Sequence, residues 1–186
     1  MELSTITAIA AIDGRYRQQV HQLDEYFSEF GLIKYRILIE VHYLFWLEKK
    51  KILKLGPAAT KHLRSLCETF SIDQAMAIKA IEKTTNHDVK AVEYFLKKEL
   101  DACGASHCRE WVHFGLTSQD INNTAVPLAW KHAMENEYLP ALLNLNTELR
   151  ILAQRYQDIP LLARTHGQPA SPTKLGKEMM VFVERI

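Results

Sequence analysis

The sequence has few of the residues that interrupt helices. Its 186 residues include 7 Gly and 6 Pro, whereas Leu, Ala, Glu and Lys are common. Such a composition is typical of an all-α protein, because strong helix formers dominate it. The 3 Cys are too few, and odd in number, for a disulfide framework. We therefore expect an all-α protein of a reducing compartment.

The sequence also lacks an excess of charge of either sign. Lys and Arg number 23 and Asp and Glu 22, for a net charge of +1, so the charge favours neither a nucleic-acid nor a membrane partner. The N-terminal MELSTITAIAAIDGRY has no basic segment and no long apolar core, and so does not resemble a secretory signal. With 47% hydrophobic and 24% charged residues, we expect a globular, cytoplasmic protein.

Phosphate-binding glycine motifs and zinc-ligand pairs are missing as well. Neither G-x-G-x-x-G nor G-x-x-x-x-G-K occurs, which excludes a Rossmann fold and a P-loop. Cys103, His107, Cys108 and His113 lie close together in sequence, but they form no C-x-x-C or H-x-x-x-H pair. We therefore expect no metal site.

Apolar residues at helical spacing are what the sequence does have. They predict a helix over about residues 28–50, with Glu40 off its apolar stripe, and another over about 139–157. The stretch 101–115 lacks this pattern and favours a loop-rich junction. We expect residues 1–110 to form an N-terminal helical domain and 111–186 to begin a long helical bundle. Because KLGKEMMVFVERI keeps helical spacing with no stop signal, we expect this bundle to be truncated at residue 186.

Two segments match the capping-box pattern S/T-x-x-D/E, and one is rich in Gly and Pro. Thr85-Asn86-His87-Asp88 and Thr117-Ser118-Gln119-Asp120 each predict the start of a helix, and Pro127 is expected to kink the second one. The segment LLARTHGQPASPT, with Gly167, Pro169 and Pro172, predicts a structured loop between two helices.

Four polar clusters fall in turns or at predicted helix starts. They are Asp13-Gly14-Arg15-Tyr16, Asn86-His87-Asp88, His113 with Thr117-Ser118-Gln119-Asp120, and Arg164-Thr165-His166-Gly167-Gln168. Helix starts favour phosphates and carboxylates, and histidines titrate near neutral pH. Taken singly, each cluster is also explained as a helix cap or a solvated histidine. Together they favour an anion site with acid–base chemistry.

Four segments, in order along the chain, carry a family resemblance. AIDGRY, TTNHDVKAVEYF, WVHFGLTSQDINNTA and RTHGQPASPTKLG resemble the adenylosuccinate lyase family of the fumarase/aspartase superfamily, in its bacterial purine-pathway branch. The Thr-Ser-Gln-Asp and Arg-Thr-His-Gly forms separate this family from the fumarases and the argininosuccinate lyases. A further superfamily signature, a Ser- and Gly-rich loop with a Met-Pro-x-Lys core, does not occur in these 186 residues.

The resemblance implies an activity and an assembly. It implies β-elimination of fumarate from adenylosuccinate to give AMP, and the same cleavage of the succinylated aminoimidazole carboxamide ribotide, both in purine nucleotide biosynthesis. It also implies an all-helical homotetramer whose active sites are shared between subunits, without metal or organic cofactor. The family's catalytic base is a serine of the missing loop, so we expect the 186 residues to be inactive by themselves.

The resemblance also implies roles for particular residues. His166 would be the general acid, and His87 a second catalytic histidine that contacts the substrate. Thr117 and Ser118 would hold a succinyl carboxylate. The nucleotide would be bound by Arg15 and Tyr16. The other residues expected to line this site are Asn86, Asp88, His113, Thr165 and Gln168.

Two other functions stay open on the sequence. Another lyase or a cycloisomerase of the same superfamily is the first, although Arg15-Tyr16 and Asn86-His87-Asp88, as nucleotide-site residues, would have no role in it. The second is a non-catalytic helical scaffold or oligomerisation fragment. An assay of lyase activity separates the second alternative from the enzymes.

Overall fold

A computed structural model describes residues 6–186, which are mainly helical. The chain divides into two compact units, one ending at Ala133 and one spanning Met134–Ile186, and each is described by itself. The all-α fold class expected from the composition is confirmed. The domain boundary expected near residue 110 stays a prediction. The interpretation of the N-terminus as free of a secretory signal rests in part on residues 1–5, which lie outside the described residues.

The first unit consists of helices joined by short connections. Its α-helices are α1 (Arg17–Val20), α2 (Asp24–Phe27), α3 (Glu29–Lys49), α4 (Pro57–Glu68), α5 (Ile72–Thr85), α6 (Asp88–Ala102) and α7 (Ser118–Ala133), with 3-10 turns at His21–Leu23 and Ser106–Trp111. The helix predicted over about 28–50 is confirmed as α3. No helix in the described part of the chain is long and apolar enough to cross a membrane.

Helix α3 lies at the centre of the first unit because it is apolar on more than one face. Ile37 and Leu44 are fully buried in a core that α3 shares with α4, α5, α6 and the second 3-10 turn. Tyr35 packs on another side of α3 against Ala129 of α7. A helix covered in this way leaves little solvent-facing surface for its own polar residues, and Arg36 is buried as a result.

Some helix starts of the first unit, those of α3, α5 and α6 among them, are closed by side-chain caps. The Ser28 hydroxyl accepts the Gly31 N–H at 3.1 Å at the start of α3. At α5, Ser71 and Gln74 form a reciprocal capping box. These bonds satisfy amides that have no partner inside the helix, so α3 and α5 begin where a suitable side chain is available.

Of the two capping boxes predicted from the sequence, one is confirmed and one is wrong. At α7, the Thr117 N–H donates to Asp120 Oδ2 at 2.7 Å and the Asp120 N–H donates to Thr117 Oγ1 at 3.4 Å. Thr85 caps nothing, because α5 continues through it and its hydroxyl donates to the His87 carbonyl at 3.2 Å. Asn86 ends α5 with a φ of +50°, and His87 caps α6 instead. The predicted kink of α7 at Pro127 stays a prediction.

The second unit has two helices and a hairpin. A π-helical turn at Met134–Tyr138 is followed by α8 (Leu139–Arg155), β1 (Pro160–Thr165), β2 (Gln168–Lys174) and α9 (Leu175–Arg185). Helix α8 confirms the helix predicted over about 139–157. The two helices pack through small residues, because a Cβ on Gly176 would lie 2.2 Å from the Ala153 carbonyl oxygen. Asn146 Nδ2 also donates to the Val183 carbonyl at 2.9 Å.

The structured loop predicted between these helices is wrong, since the segment forms an antiparallel hairpin of β1 and β2. Leu162 pairs with Pro172 and Arg164 pairs with Pro169, with an irregularity in between. Proline is unfavourable inside a sheet because it cannot donate a ladder hydrogen bond. In a two-stranded sheet each strand has a free edge, so both prolines are tolerated here.

Candidate functional site

The residues predicted at the start of α6 are held by backbone contacts. His87 Nδ1 accepts the Lys90 N–H at 3.2 Å, so a neutral His87 carries its ring proton on Nε2. Half of the His87 side chain is exposed, and its Nε2 can therefore donate to a ligand. Asp88 Oδ1 accepts the Val89 N–H at 2.8 Å. Together with the left-handed Asn86, these contacts give the cluster a defined shape.

Arg36, which the sequence analysis did not identify, connects this cluster to α7. Its side chain is buried, with Nη2 donating to Asp88 Oδ2 at 2.6 Å and Nε donating to Asn122 Oδ1 at 2.9 Å. Asn122 lies about one helical turn after Ser118. Arg36 therefore brings together the starts of two helices that both carry predicted site residues.

Asp88 is an anion at neutral pH. Its partial burial would raise the pKa of the carboxyl, but the Val89 N–H and the Arg36 guanidinium outweigh that effect. The pKa of Asp88 therefore lies below its ordinary value. This charge compensates the buried cation of Arg36, which would otherwise be costly.

At the start of α7, one of the two predicted carboxylate-binding hydroxyls is already occupied. The Thr117 hydroxyl donates to Asp120 Oδ2 at 2.8 Å. The Thr117 N–H and hydroxyl hold the pKa of Asp120 below its ordinary range. Ser118, the first residue of α7, is half-buried, and within residues 6–186 its hydroxyl has no hydrogen-bond partner. The Ser118 hydroxyl is therefore the one at this helix start that is available to bind an anion.

His113 lies between two buried carboxylates. Its Nδ1 is 2.5 Å from Glu40 Oε1, and its Nε2 is 3.9 Å from Glu93 Oε1. Lys90 Nζ pairs with the other oxygen of Glu93 at 2.8 Å. Burial raises the pKa of Glu40, an effect that its contact with His113 partly offsets. The sequence placed Glu40 off the apolar stripe of α3, but the side chain is 0% exposed, because α6 and the turn before α7 cover it.

Arg15 and Tyr16 form a pair near the N-terminal end of the described chain. The Arg15 guanidinium carbon is 5.0 Å from the centre of the Tyr16 ring, and both residues are exposed. The backbone around them is held by a bond from the Tyr16 N–H to the Ala11 carbonyl at 2.9 Å. Within residues 6–186, no hydrogen bond or ion pair joins either side chain to His87 or Ser118.

In the second unit, three predicted residues lie at the end of the hairpin. Thr165 and Gln168 are paired across β1 and β2, and His166 and Gly167 form the two-residue turn with φ of +48° and +76°. The Arg164 Nη1 donates to the Gly167 carbonyl at 3.3 Å and braces the turn. His166 is exposed, so its imidazole is accessible to a ligand.

The cysteines and the remaining histidines form no metal centre in the described residues, where no group of three His, Cys, Asp or Glu side chains is placed to hold an ion. Cys108 is buried and its thiol donates to the Lys54 carbonyl at 3.4 Å. Burial raises the pKa of Cys67 to about 11. Both thiols therefore lie in structural rather than reactive surroundings.

Comparison with known proteins places the chain in a family. The profile of a family described as lyase matches residues 14–186. The chain belongs to this lyase family. It is 50% identical to the adenylosuccinate lyase of Dictyostelium discoideum over 194 residues, which cover 100% of the chain and 42% of that relative. It is 47% and 46% identical to the adenylosuccinate lyases of Vibrio cholerae and Escherichia coli K12, over 96% of the chain and 40% of each relative.

These comparisons confirm the resemblance found in the four sequence segments. The lyase-family chain spans about two fifths of the length of the curated relatives that it matches. All of the predicted site residues lie within residues 14–186, the part that the family profile matches.

Proposed function

We propose that this lyase-family chain supplies the N-terminal part of an adenylosuccinate lyase. The reaction is the β-elimination of fumarate from adenylosuccinate, which leaves AMP, and the same cleavage of the succinylated aminoimidazole carboxamide ribotide. Both steps belong to purine nucleotide biosynthesis in the cytoplasm. The observation that carries the proposal is the 40–50% identity to adenylosuccinate lyases over 96–100% of the chain.

The start of α7 is proposed to bind a carboxylate of the succinyl group. An exposed helix start presents unpaired N–H groups and the positive end of the helix dipole, which favour anions. The Ser118 hydroxyl is not engaged within residues 6–186, whereas that of Thr117 is committed to Asp120. We therefore assign the hydroxyl contact to Ser118, and to Thr117 the role of fixing the helix start.

Two histidines are proposed to act on the substrate, one as a general acid and one as a hydrogen-bond donor that orients it. A β-elimination needs a base, donors for the carboxylate charge that develops, and an acid for the departing nitrogen. His166 is exposed at the hairpin turn and is assigned as the acid. His87, whose Nδ1 is occupied by the Lys90 N–H, is assigned to donate from Nε2 to the substrate. The base is assigned to a serine in the C-terminal region of the relatives, which lies beyond the part that these 186 residues match.

The remaining site residues are proposed to bind the nucleotide and shape the pocket. Arg15 is suited to phosphate because its planar guanidinium donates two parallel hydrogen bonds, and Tyr16 lies against it. The other residues proposed to bind the substrate are Asn86, Asp88 and His113 of the first unit and Thr165 and Gln168 of the second.

A homotetramer with shared active sites is also part of the proposal. Helix α8 has four exposed large apolar side chains, which are Leu139, Leu143, Leu145 and Ile151. Large apolar side chains in such numbers on one helix favour burial against other helices. This exposed surface also favours the second candidate, a role of the 186 residues in oligomerisation without catalysis.

The test of the proposed activity uses a chimera, here called the completed protein, in which the 186 residues are continued by the C-terminal part of the Dictyostelium discoideum relative. Fumarate release from adenylosuccinate is measured. In the completed protein, His166→Ala should lower kcat by about 10² to 10⁴ with little change in KM, because a general acid acts mainly in the transition state. Near-native turnover of this variant would remove His166 as the acid.

Two controls complete the experiment. His42→Ala changes an exposed histidine of α3 outside the predicted site and should leave kcat unchanged. The 186 residues alone should release no fumarate, since they contain no residue assigned as the base. Measurable release by the purified 186-residue protein would place the base within it and contradict the assigned mechanism.

A further inference from the structure

Glu40 is an unusual residue for the middle of a buried helix. Its side chain is 0% exposed, and in the part of the chain that the structure describes its Oε2 has no hydrogen-bond partner. Burying a carboxylate costs free energy unless strong partners compensate it. Within residues 6–186, the partner of this carboxylate is His113, whose ring Nδ1 lies 2.5 Å from Oε1. This contact joins residues 73 positions apart and fixes the surroundings of the His113 ring.

The groups around His113 come from three helices. Glu40 faces it from α3, and Glu93 and Lys90 from α6. Asp120 of α7 is close enough for the charge of His113 to affect it. Of these, only Glu40 is within hydrogen-bond distance of the ring, since Nε2 is 3.9 Å from Glu93 Oε1.

The backbone at His113 is also constrained by α3. His113 has a φ of +60°, a left-handed conformation that a residue with a Cβ rarely adopts. The Tyr43 hydroxyl, less than one turn from Glu40 on α3, donates to the Phe114 carbonyl at 2.8 Å. Two side chains of one helix thus hold both the ring and the turn that leads to Thr117 and Ser118.

We propose that Glu40 is a positioning residue for His113. An ionised carboxylate can only accept, so it takes the hydrogen bond of Nδ1–H and leaves Nε2 as the ring nitrogen available to the site. Within residues 6–186, Nε2 has no hydrogen-bond partner. The target of Nε2, a polar group of the bound nucleotide or succinate, rests on the proposed function. The Nδ1–H tautomer of His113 does not depend on the proposed function.

Nuclear magnetic resonance of the 186-residue protein labelled with ¹⁵N-histidine tests the tautomer. In weakly alkaline buffer, His113 should carry its proton on Nδ1, seen as a slowly exchanging proton far downfield of the amides and coupled to that nitrogen. His113→Gln, in which this signal disappears, assigns it. A ring protonated only on Nε2 would mean that Glu40 donates to His113, and would overturn the proposal.

Two carboxylate variants separate positioning from general packing. Glu40→Gln has the shape of the native side chain without its charge, and should abolish the downfield signal or move it into the amide region. Glu93→Gln removes the carboxylate near the other nitrogen and should leave the signal in place. An unchanged signal in Glu40→Gln would overturn the proposal. If that variant does not fold, the wild-type tautomer and the Glu93→Gln spectrum still decide.

Ligand addition then distinguishes this inference from the proposed function. In the completed protein, which includes the C-terminal part of the proposed site, AMP and fumarate should shift the Nε2 resonance of His113 and leave the Nδ1–H signal in place. A spectrum without any ligand shift counts against the proposed function, whereas the Nδ1–H tautomer, measured without ligand, stands or falls independently.

Discussion

Arg36 and Asp88 form an ion pair in which the guanidinium is buried and the carboxylate is partly exposed. Arg36 Nη2 lies 2.6 Å from Asp88 Oδ2, and the side chains are 5% and 45% exposed, respectively. The guanidinium is also bonded to Asn122. Loss of the exposed partner would therefore leave a buried cation with an amide oxygen but no counter-charge.

Asp88→Asn should lower the free energy of unfolding at pH 7 by about 1–2 kcal/mol. Hydrogen bonds to charged groups contribute about 1.5–3 kcal/mol, and the value expected here is smaller because solvent screens the exposed carboxylate. The folded state depresses the pKa of Asp88, so its contribution is complete above the unfolded value and is lost as the pH falls through the folded one. Urea unfolding should therefore show the difference from wild type shrinking below about pH 4.

Asp101→Asn is the matched control for this prediction. Asp101 pairs with Arg109 at 3.1 Å, but both side chains are more than one third exposed. Surface pairs contribute little, so this variant should stay within about 1 kcal/mol of wild type. An effect as large as that of Asp88→Asn would show that the burial of Arg36 is not what matters.

Ser71→Ala should destabilise the first unit by about 1 kcal/mol, because α5 loses one half of its capping box. The thermal unfolding midpoint measures the change. Ser65→Ala replaces an exposed serine within α4 and should be neutral or slightly stabilising, since alanine is the better helix former. Equal losses in the two variants would contradict the capping role of Ser71.

Gly176→Ala should loosen the packing of α8 on α9. The added Cβ would lie 2.2 Å from the Ala153 carbonyl oxygen and 2.7 Å from the Gln157 Cα, and both of these are backbone atoms. Overpacking of this kind costs about 1–3 kcal/mol or more. Hydrogen exchange of the α8 amides should accelerate. Lys177→Ala, an exposed neighbour, should leave exchange as it is.

Arg15→Ala and Ser118→Ala should affect opposite ends of the proposed substrate. In the completed protein, Arg15→Ala should weaken AMP binding by about tenfold or more, as expected for a lost charge-assisted hydrogen bond. Ser118→Ala should weaken fumarate binding more than AMP binding. Calorimetric titration of both ligands into both variants makes each a control for the other. Unchanged AMP affinity in Arg15→Ala would remove Arg15 from the site.

Features that depend on neighbouring residues could be predicted from the sequence. The apolar spacing of α3 and the Thr117–Asp120 box are both local, and the structure has both. Thr85 shows the limit of such patterns, because a capping box matched there although α5 continues through it. The capping-box pattern shows which hydrogen bonds are possible, whereas tertiary packing determines which of them form.

The contacts that organise the candidate site could not be predicted in the same way. Arg36 meets Asp88 across 52 positions, and Glu40 meets His113 across 73. Such pairs form only because α3 is covered by other helices, which no local pattern reports. The hairpin was missed for a different reason, since Pro169 and Pro172 concealed a two-residue turn between extended segments.

At the turn of that hairpin, the proposed catalytic role of His166 conflicts with the stability of the fold. In a two-residue turn whose residues both have positive φ, Asn-Gly is the preferred pair. This chain has His166 at the position where asparagine is preferred. His166→Asn should therefore raise the melting temperature of the 186-residue protein while it removes the imidazole. Selections for thermostability of the 186-residue protein should therefore recover asparagine at the first position of this turn, and the same change should lower fumarate release by the completed protein.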